Sequence, residues 1–279
     1  MNISFVLLEF FSTVLFILCI YHSLKRSKKH LAELLIMVVY AILLESISVT
    51  KGGYIYGDFL LKIFGVPIAV GFGWGVIIYT SLATVDKLNI SQKIRPFLVT
   101  LLALNIDFSM DPIAIKEGLW SFTYTEGFWF GVPSGNFIGW FIVVFCFSYF
   151  IYYYRRNQKY KYFYPVLSMI FSIIILTTYG LFQGGVLWYI FCDDKYFFAI
   201  FIILIIISIA YILLKIGKIK KDNNVDWIVL FIPAAFHFYF LILLIIRDYR
   251  ITVLIFVSLV MLISAAYIHL LPYFDILKK

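Results

Sequence analysis

The sequence has little charge, few cysteines and no long polar segment. Only 14% of its 279 residues are charged, whereas a soluble globular domain carries about a quarter, so a soluble fold is excluded. The three cysteines, Cys19, Cys146 and Cys192, show neither metal-ligand spacing nor a pairing pattern. The chain also lacks a Gly-rich phosphate loop and the HExxH and DDxxD patterns. We therefore expect no metal site and no nucleotide or redox cofactor.

Apolar residues make up 63% of the chain. They are gathered into runs of roughly 20 residues, the length that a helix needs to cross a bilayer. The sequence predicts an all-α integral membrane protein, a single polytopic domain over 1–279 with about nine spans. The runs are 3–22, 32–50, 66–85, 96–115, 134–154, 163–182, 196–216, 227–246 and 251–270. Because the link 247–250 is very short, a tight hairpin or an interfacial helix there would reduce the count to eight.

The net charge of +8 comes from basic residues that are concentrated in alternate loops. Of the 23 Lys and Arg residues, 17 follow the first, third, fifth and seventh runs or end the chain. Cytoplasmic loops collect Lys and Arg. The pattern therefore predicts a multi-pass cell-membrane protein with its N-terminus outside and its C-terminus in the cytoplasm. A nucleic-acid partner would need one contiguous basic face, so none is expected.

The chain matches itself at an offset of 66 residues. The segment 64–67, Phe-Gly-Val-Pro, falls on 130–133, and Gly73-Trp74 falls on 139–140. Over 45–74 against 111–140 there are eight identities in thirty positions. The predicted topology gives the matched helices the same direction, so the sequence predicts a parallel repeat, 41–85 and 107–151, with helices 2-3 matching helices 4-5.

Four acids lie within or near the ends of predicted spans, where ionisable residues are costly and usually functional. Asp107 and Asp111 are four residues apart on one helix face, and the repeat places Glu45 at the position of Asp111. We expect these three acids to converge on one cavity in the outer half of the bilayer. The alternative is that they accept hydrogen bonds from loop backbone or pair with Lys51 or Lys116. Glu9, the fourth acid, is close enough to a helix end to reach water.

Polar and aromatic side chains cluster in the sequence near these acids, at the same end of the predicted bundle. Asn136 lies one turn before Trp140, where it would orient water or a carboxyl group, or else form a helix–helix hydrogen bond. The aromatic candidates for substrate binding are Tyr54, Tyr56, Trp74, Trp120, Trp129 and Trp140. The alternative is that these aromatic side chains face lipid or lie at the membrane interface. His237 is expected to be a core histidine or a site residue.

These motifs resemble the carotenoid biosynthesis membrane proteins of the carotenoid 1,2-hydratase and bisanhydrobacterioruberin hydratase type. The resemblance is carried by Glu45, then by 52–57 (GGYIYG), 65–67 (GVP) and Trp74. It continues through Asp107 and Asp111-Pro112, then 118–120 (GLW), 130–133 (FGVP), Asn136 and Gly139-Trp140. It is strongest over 40–145. Asp58 departs from the pattern, which has an aromatic or apolar residue after the Tyr-Gly step.

The resemblance implies a cofactor-independent hydro-lyase that adds water across the terminal C1=C2 bond of an acyclic carotenoid or isoprenoid. A carboxyl group that is poorly hydrated, or that shares a proton with a neighbour, can remain protonated at neutral pH. Asp111 would donate this proton, Asp107 or Glu45 would act as partner and base, and Asn136 would orient the water. Aromatic faces, above all Tyr56, Trp120 and Trp140, would stabilise the tertiary cation. The expected partners are the lipophilic substrate, water and membrane lipids.

Two other classes of protein use similar residues. An ion-coupled transporter also carries intramembrane acids and repeats, but it responds to a gradient, whereas a hydratase works in detergent. A non-catalytic, lipid-binding scaffold would tolerate the loss of all three acids.

Overall fold

The computed structural model describes residues 3–88, 90–123, 127–182, 194–215, 225–247 and 251–273. These residues form nine α-helices, as predicted. The helices are α1 (Ile3–Arg26), α2 (Lys28–Thr50), α3 (Ile68–Lys87), α4 (Arg95–Lys116), α5 (Ser134–Arg155), α6 (Tyr164–Phe182), α7 (Asp194–Lys215), α8 (Trp227–Ile246) and α9 (Thr252–Leu270). Cys192 and the basic residues Lys218, Lys220, Lys221, Lys278 and Lys279 lie outside the described residues.

Eight of these helices are long and apolar enough to cross a membrane, and the described apolar stretch of α6, Tyr164–Thr178, is shorter. The chain is therefore a multi-pass membrane protein. Helices α3 and α4 are the most buried of the eight. They pack against each other, while α1 and α2 pack on α3, and α5, α8 and α9 pack on α4. A helix that is apolar on all sides suits this central position, whereas only a small part of α7 and α9 is buried.

Two loops at one end of the bundle are ordered by short strands that the sequence analysis did not predict. Strand β1 (Tyr54–Tyr56) pairs antiparallel with β4 (Trp120–Phe122), with Tyr56 opposite Trp120. Strands β2 (Lys62–Ile63) and β3 (Val66–Pro67) form a small hairpin. The strand pairing ties the α2–α3 loop to the α4–α5 loop, so both loops lie over the end of the bundle.

The two loops also share a backbone conformation just before their descending helices. Phe64 and Phe130 have φ of 51° and 50°, and the following glycines, Gly65 and Gly131, have φ of 80° and 94°. Positive φ is uncommon for a bulky residue. Pro67 and Pro133 then precede α3 and α5 as their N-cap residues, where the missing proline N–H is not needed by the helix.

The opposite end of the bundle is held by an inner ion-pair cluster of Arg26, Glu33, Asp86, Arg95 and Arg155. The Arg155 guanidinium donates two hydrogen bonds of 2.6 Å to the Glu33 carboxylate and contacts both Asp86 oxygens at 3.0 Å. Arg26 and Arg95 approach Asp86 to 3.2 Å and 3.7 Å. The five residues belong to α1, α2, α3, α4 and α5, so one polar cluster connects five helix ends.

Candidate functional site

A chamber lies beneath strands β1 and β4, between α1, α2, α3, α4, α5 and α8, with about 570 Å³ of empty space including its open side. We call it the acid chamber because Glu45 and Asp111 line it. Eight of the ten candidate residues from the sequence line it: Glu45, Tyr54, Tyr56, Trp74, Asp111, Trp120, Asn136 and Trp140. The acids of α2 and α4 and the aromatic residues of both loops thus meet at one place.

Glu45 is held by two aromatic donors. Trp74 Nε1 donates to Oε1 at 2.7 Å, and the Tyr56 hydroxyl donates to Oε2 at 2.8 Å. The side chain is buried, and donors at both oxygens fix its orientation and stabilise negative charge on it. Glu45 is therefore arranged as a fixed carboxylate that faces the chamber.

Asp111 and Asp107 form a carboxyl pair on one face of α4. Asn136 Nδ2 donates to Asp111 Oδ2 at 2.6 Å, and Asp111 lines the chamber while Asp107 does not. Asp107 is 0% exposed, and its two oxygens have no hydrogen-bond partner among the described residues. It lies one helical turn before Asp111 on α4. Two buried carboxyl groups at this spacing can share one proton.

Trp74 and Trp140 stack against each other next to the acids. Their ring centroids are 3.6 Å apart and their planes differ by 15°. The two residues lie about two turns after the first residues of their helices, α3 and α5. The stack fixes two large π systems at the chamber wall, where a cation would be attracted by the ring faces.

The strand pair β1–β4 supplies aromatic side chains that cover the acid chamber. Tyr56 and Trp120 are opposite each other across β1 and β4, with ring centroids 6.2 Å apart. Burial raises the pKa of Tyr56 well above its ordinary value, and the nearby Glu45 charge acts in the same direction. The Tyr56 hydroxyl therefore stays protonated and remains a donor to Glu45.

Several sequence candidates lie away from the chamber. Trp129 donates from Nε1 to the Phe108 carbonyl at 3.0 Å and packs among phenylalanines. Glu9 accepts backbone N–H bonds from Leu60 and Leu61, as expected of an acid at a helix end. His237 approaches Ser109 Oγ at 3.4 Å and is buried in another part of the core.

The chamber also contains residues that the sequence analysis missed. Leu8 and Ser12 of α1, Met110 of α4, and Phe236 and Phe240 of α8 complete its wall. Met110 is adjacent to Asp111 and belongs to the second repeat segment. The other four lie outside both repeat segments, in α1 near Glu9 and in α8 near His237. Neither neighbour lines the chamber, so these candidates did not identify the four wall residues.

The fold and the chamber define a polytopic membrane protein with buried carboxyl groups and aromatic side chains around one apolar cavity. A family description of carotenoid biosynthesis proteins matches residues 4–210. The chain therefore belongs to the carotenoid biosynthesis protein family, and its role lies in carotenoid biosynthesis. The matched region includes the whole chamber except the two phenylalanines of α8. Comparison with curated proteins gives no match, and comparison with solved structures gives none either.

Proposed function

We propose that the chain is a hydratase that adds water to the terminal C1=C2 double bond of an acyclic carotenoid or related isoprenoid. The observation that carries the proposal is the buried Asp107–Asp111 pair, which faces an aromatic chamber through Asp111. Family membership supports the carotenoid substrate class.

In the proposed reaction the Asp111 O–H gives its proton to C2, and the alkene electron pair forms the new C–H bond. A tertiary cation is left at C1. Water then adds its oxygen to C1, and the proton that this water loses returns to the Asp107–Asp111 pair, either directly or by way of Glu45. The product is one tertiary alcohol and the pair carries its proton again, so the reaction needs no redox partner.

The other side chains support this sequence of steps. Asn136, which binds Asp111, orients the carboxyl group and the attacking water. The Glu45 carboxylate and the indoles of Trp74, Trp120 and Trp140 stabilise the cation, a contribution of up to about 2 kcal/mol for each desolvated ring face. Tyr54 and Tyr56 contact the end group. Asp107 does not face the chamber, so it acts through Asp111 as a positioning residue, and Trp129 only supports the wall of aromatic side chains behind α4.

We also propose that the site arose from a duplicated unit, 41–85 and 107–151. The matched pairs Phe64/Phe130 and Gly65/Gly131 share unusual backbone angles. The matched residues Trp74 and Trp140 stack, and the matched acids Glu45 and Asp111 line the same chamber. The excess of Lys and Arg at the opposite end supports an orientation in which the chamber opens toward the outside and the inner ion-pair cluster toward the cytoplasm.

The proposal is tested by expressing the chain in cells that accumulate lycopene and analysing the pigments by chromatography and mass spectrometry. The expected products are heavier than lycopene by one or two waters. Purified protein in detergent should give the same products without an ion gradient. Unchanged pigments with a well-expressed, folded protein, offered several acyclic carotenoids, would contradict the proposal.

A further inference from the structure

A second cavity opens between α2 and α5, on the other side of the Trp74–Trp140 stack. We call it the lateral groove. It contains about 1210 Å³ of empty space, including its open side. It shares Glu45, Tyr54, Trp74, Phe122, Asn136 and Trp140 with the acid chamber. The two spaces therefore meet at Glu45, Asn136 and the two stacked tryptophans.

The walls of the groove correspond to those of the chamber at the repeat offset of 66 residues. Gly135 and Gly139 stand where the chamber has Ala69 and Gly73, and Val143 stands where it has Ile77. On the facing helix, Leu44 corresponds to Met110. The lateral groove is thus built like the chamber, from the equivalent faces of α2 and α5.

The two spaces differ in what covers them. The chamber is flanked by Leu8 and Ser12 of α1 and by Phe236 and Phe240 of α8. The groove is lined by α2, α5, the loops and Trp74. Gly135 is exposed, and a Cβ atom added at Gly135 or Gly139 would meet no atom within 4 Å. The groove is therefore open toward the lipid at the outer half of the bundle.

The shape and the lining of the groove suit a long apolar chain. Its lining on α2 runs from Ala41 to Lys51, which at the helical rise corresponds to about 15 Å. Ala41, Leu44 and Val143 lie at its deep end, whereas Ser48 and Lys51 lie at the rim near the loops. An extended chain can lie against the apolar part while its end group reaches Glu45 and Trp140.

We propose that the lateral groove binds the linear polyene chain of the substrate, which reaches the acid chamber sideways from the bilayer. The identity of this occupant rests on the proposed function. A carotenoid is dissolved in the hydrocarbon region, so a route through water would expose its whole apolar surface. Gly135 and Gly139 determine specificity because they leave the groove wide enough for the chain beside Trp140.

The test is Gly139→Leu, which places a side chain in the groove where the backbone has room for it. Lycopene binding to the purified protein is measured by quenching of tryptophan fluorescence, and hydration is measured with lycopene and with a ten-carbon acyclic isoprenoid. We expect at least a tenfold weaker affinity for lycopene and a matching loss of its hydration. Hydration of the ten-carbon compound, which has only a short chain to place in the groove, should fall much less than hydration of lycopene. Ala210→Leu is the matched control, because Ala210 is exposed on α7, away from the groove.

Gly135→Leu provides a second variant, and size-exclusion profiles and Tm values show that each variant is folded. Unchanged lycopene affinity in a folded Gly139→Leu or Gly135→Leu variant would overturn the groove assignment and leave the proposed function standing. Lycopene binding that depends on these glycines, without any hydration by the wild type, would support the groove and overturn the hydratase. Equal losses of affinity for the long and the short compound would also overturn the groove, since the effect would then lie in the chamber.

Discussion

Replacing Asp111 with asparagine is the most direct test of the proton-donor role. The substitution preserves the size of the side chain, so the packing of α4 against α5 and the contact with Asn136, now 2.6 Å from Asp111, need not change. What disappears is the acidic proton. General acid catalysis contributes about 10²- to 10⁴-fold to a rate, which corresponds to about 2.7–5.5 kcal/mol of activation free energy.

Asp107→Asn should also slow hydration, but by less than Asp111→Asn. The new amide would donate to Asp111 and favour its carboxylate form, so Asp111 would carry its proton less often. One hydrogen bond to a charged group is worth about 1.5–3 kcal/mol, or roughly 10- to 150-fold in rate. Because the two acids act as one unit, the double variant should be no slower than Asp111→Asn alone.

The assay is the initial rate of lycopene hydration by purified protein in detergent, with products separated by chromatography. Asp58→Asn is the control, because Asp58 is an exposed carboxylate in the α2–α3 loop, and its rate should equal that of the wild type. Full activity in a folded Asp111→Asn variant would remove Asp111 from the donor role. A double variant whose losses simply multiply would show that the two carboxyl groups do not share a proton.

Three further predictions concern stability, measured by thermal unfolding in detergent. Arg155→Leu leaves the two acids of the inner ion-pair cluster without their main partner, so it should lower the free energy of unfolding by about 3–5 kcal/mol. Arg155→Lys should cause a smaller loss. An unchanged Tm for Arg155→Leu would contradict a structural role of the cluster. Gly57→Ala should destabilise by about 1–3 kcal/mol, because its Cβ atom would lie 2.7 Å from the Gly118 carbonyl oxygen, whereas Gly135→Ala meets open space and should leave Tm unchanged. Burial opposes ionisation of Asp226, but the hydrogen bond and charge of His22, with the charge of Lys87, hold the pKa of Asp226 below its usual range. Its stabilisation is therefore complete above about pH 4, the unfolded value, and is lost as the pH falls through the lower native pKa. Asp226→Asn should remove this part of the acid dependence, and an identical pH profile in both proteins would refute it.

The helices could be predicted from the sequence because each apolar run has the length that the bilayer demands, and the nine predicted runs correspond to the nine helices of the described residues. The neighbourhood of Glu45 and Asp111 was also predictable, since a repeated motif placed an acid, a Gly-aromatic loop and a tryptophan in the same order twice. Their roles in catalysis remain predictions.

Other features depend on contacts between distant segments and left no local signal. Phe236 and Phe240 reach the chamber only because α8 packs on α3 and α4. Asp107 shares a helix face with Asp111, but only Asp111 lines the chamber. Glu33 is buried against Arg155, which lies 122 residues further along the chain.

The inner ion-pair cluster has a mechanical consequence for the bundle. Arg155 of α5 holds α2 and α3 through Glu33 and Asp86, so the ends of α2 and α5 in this cluster are fastened at a single point. Nearer the loops, the Tyr40 hydroxyl of α2 donates to the Val143 carbonyl of α5 at 3.1 Å. The two helices are thus linked at two levels, so any separation between them is confined to their ends beside the loops.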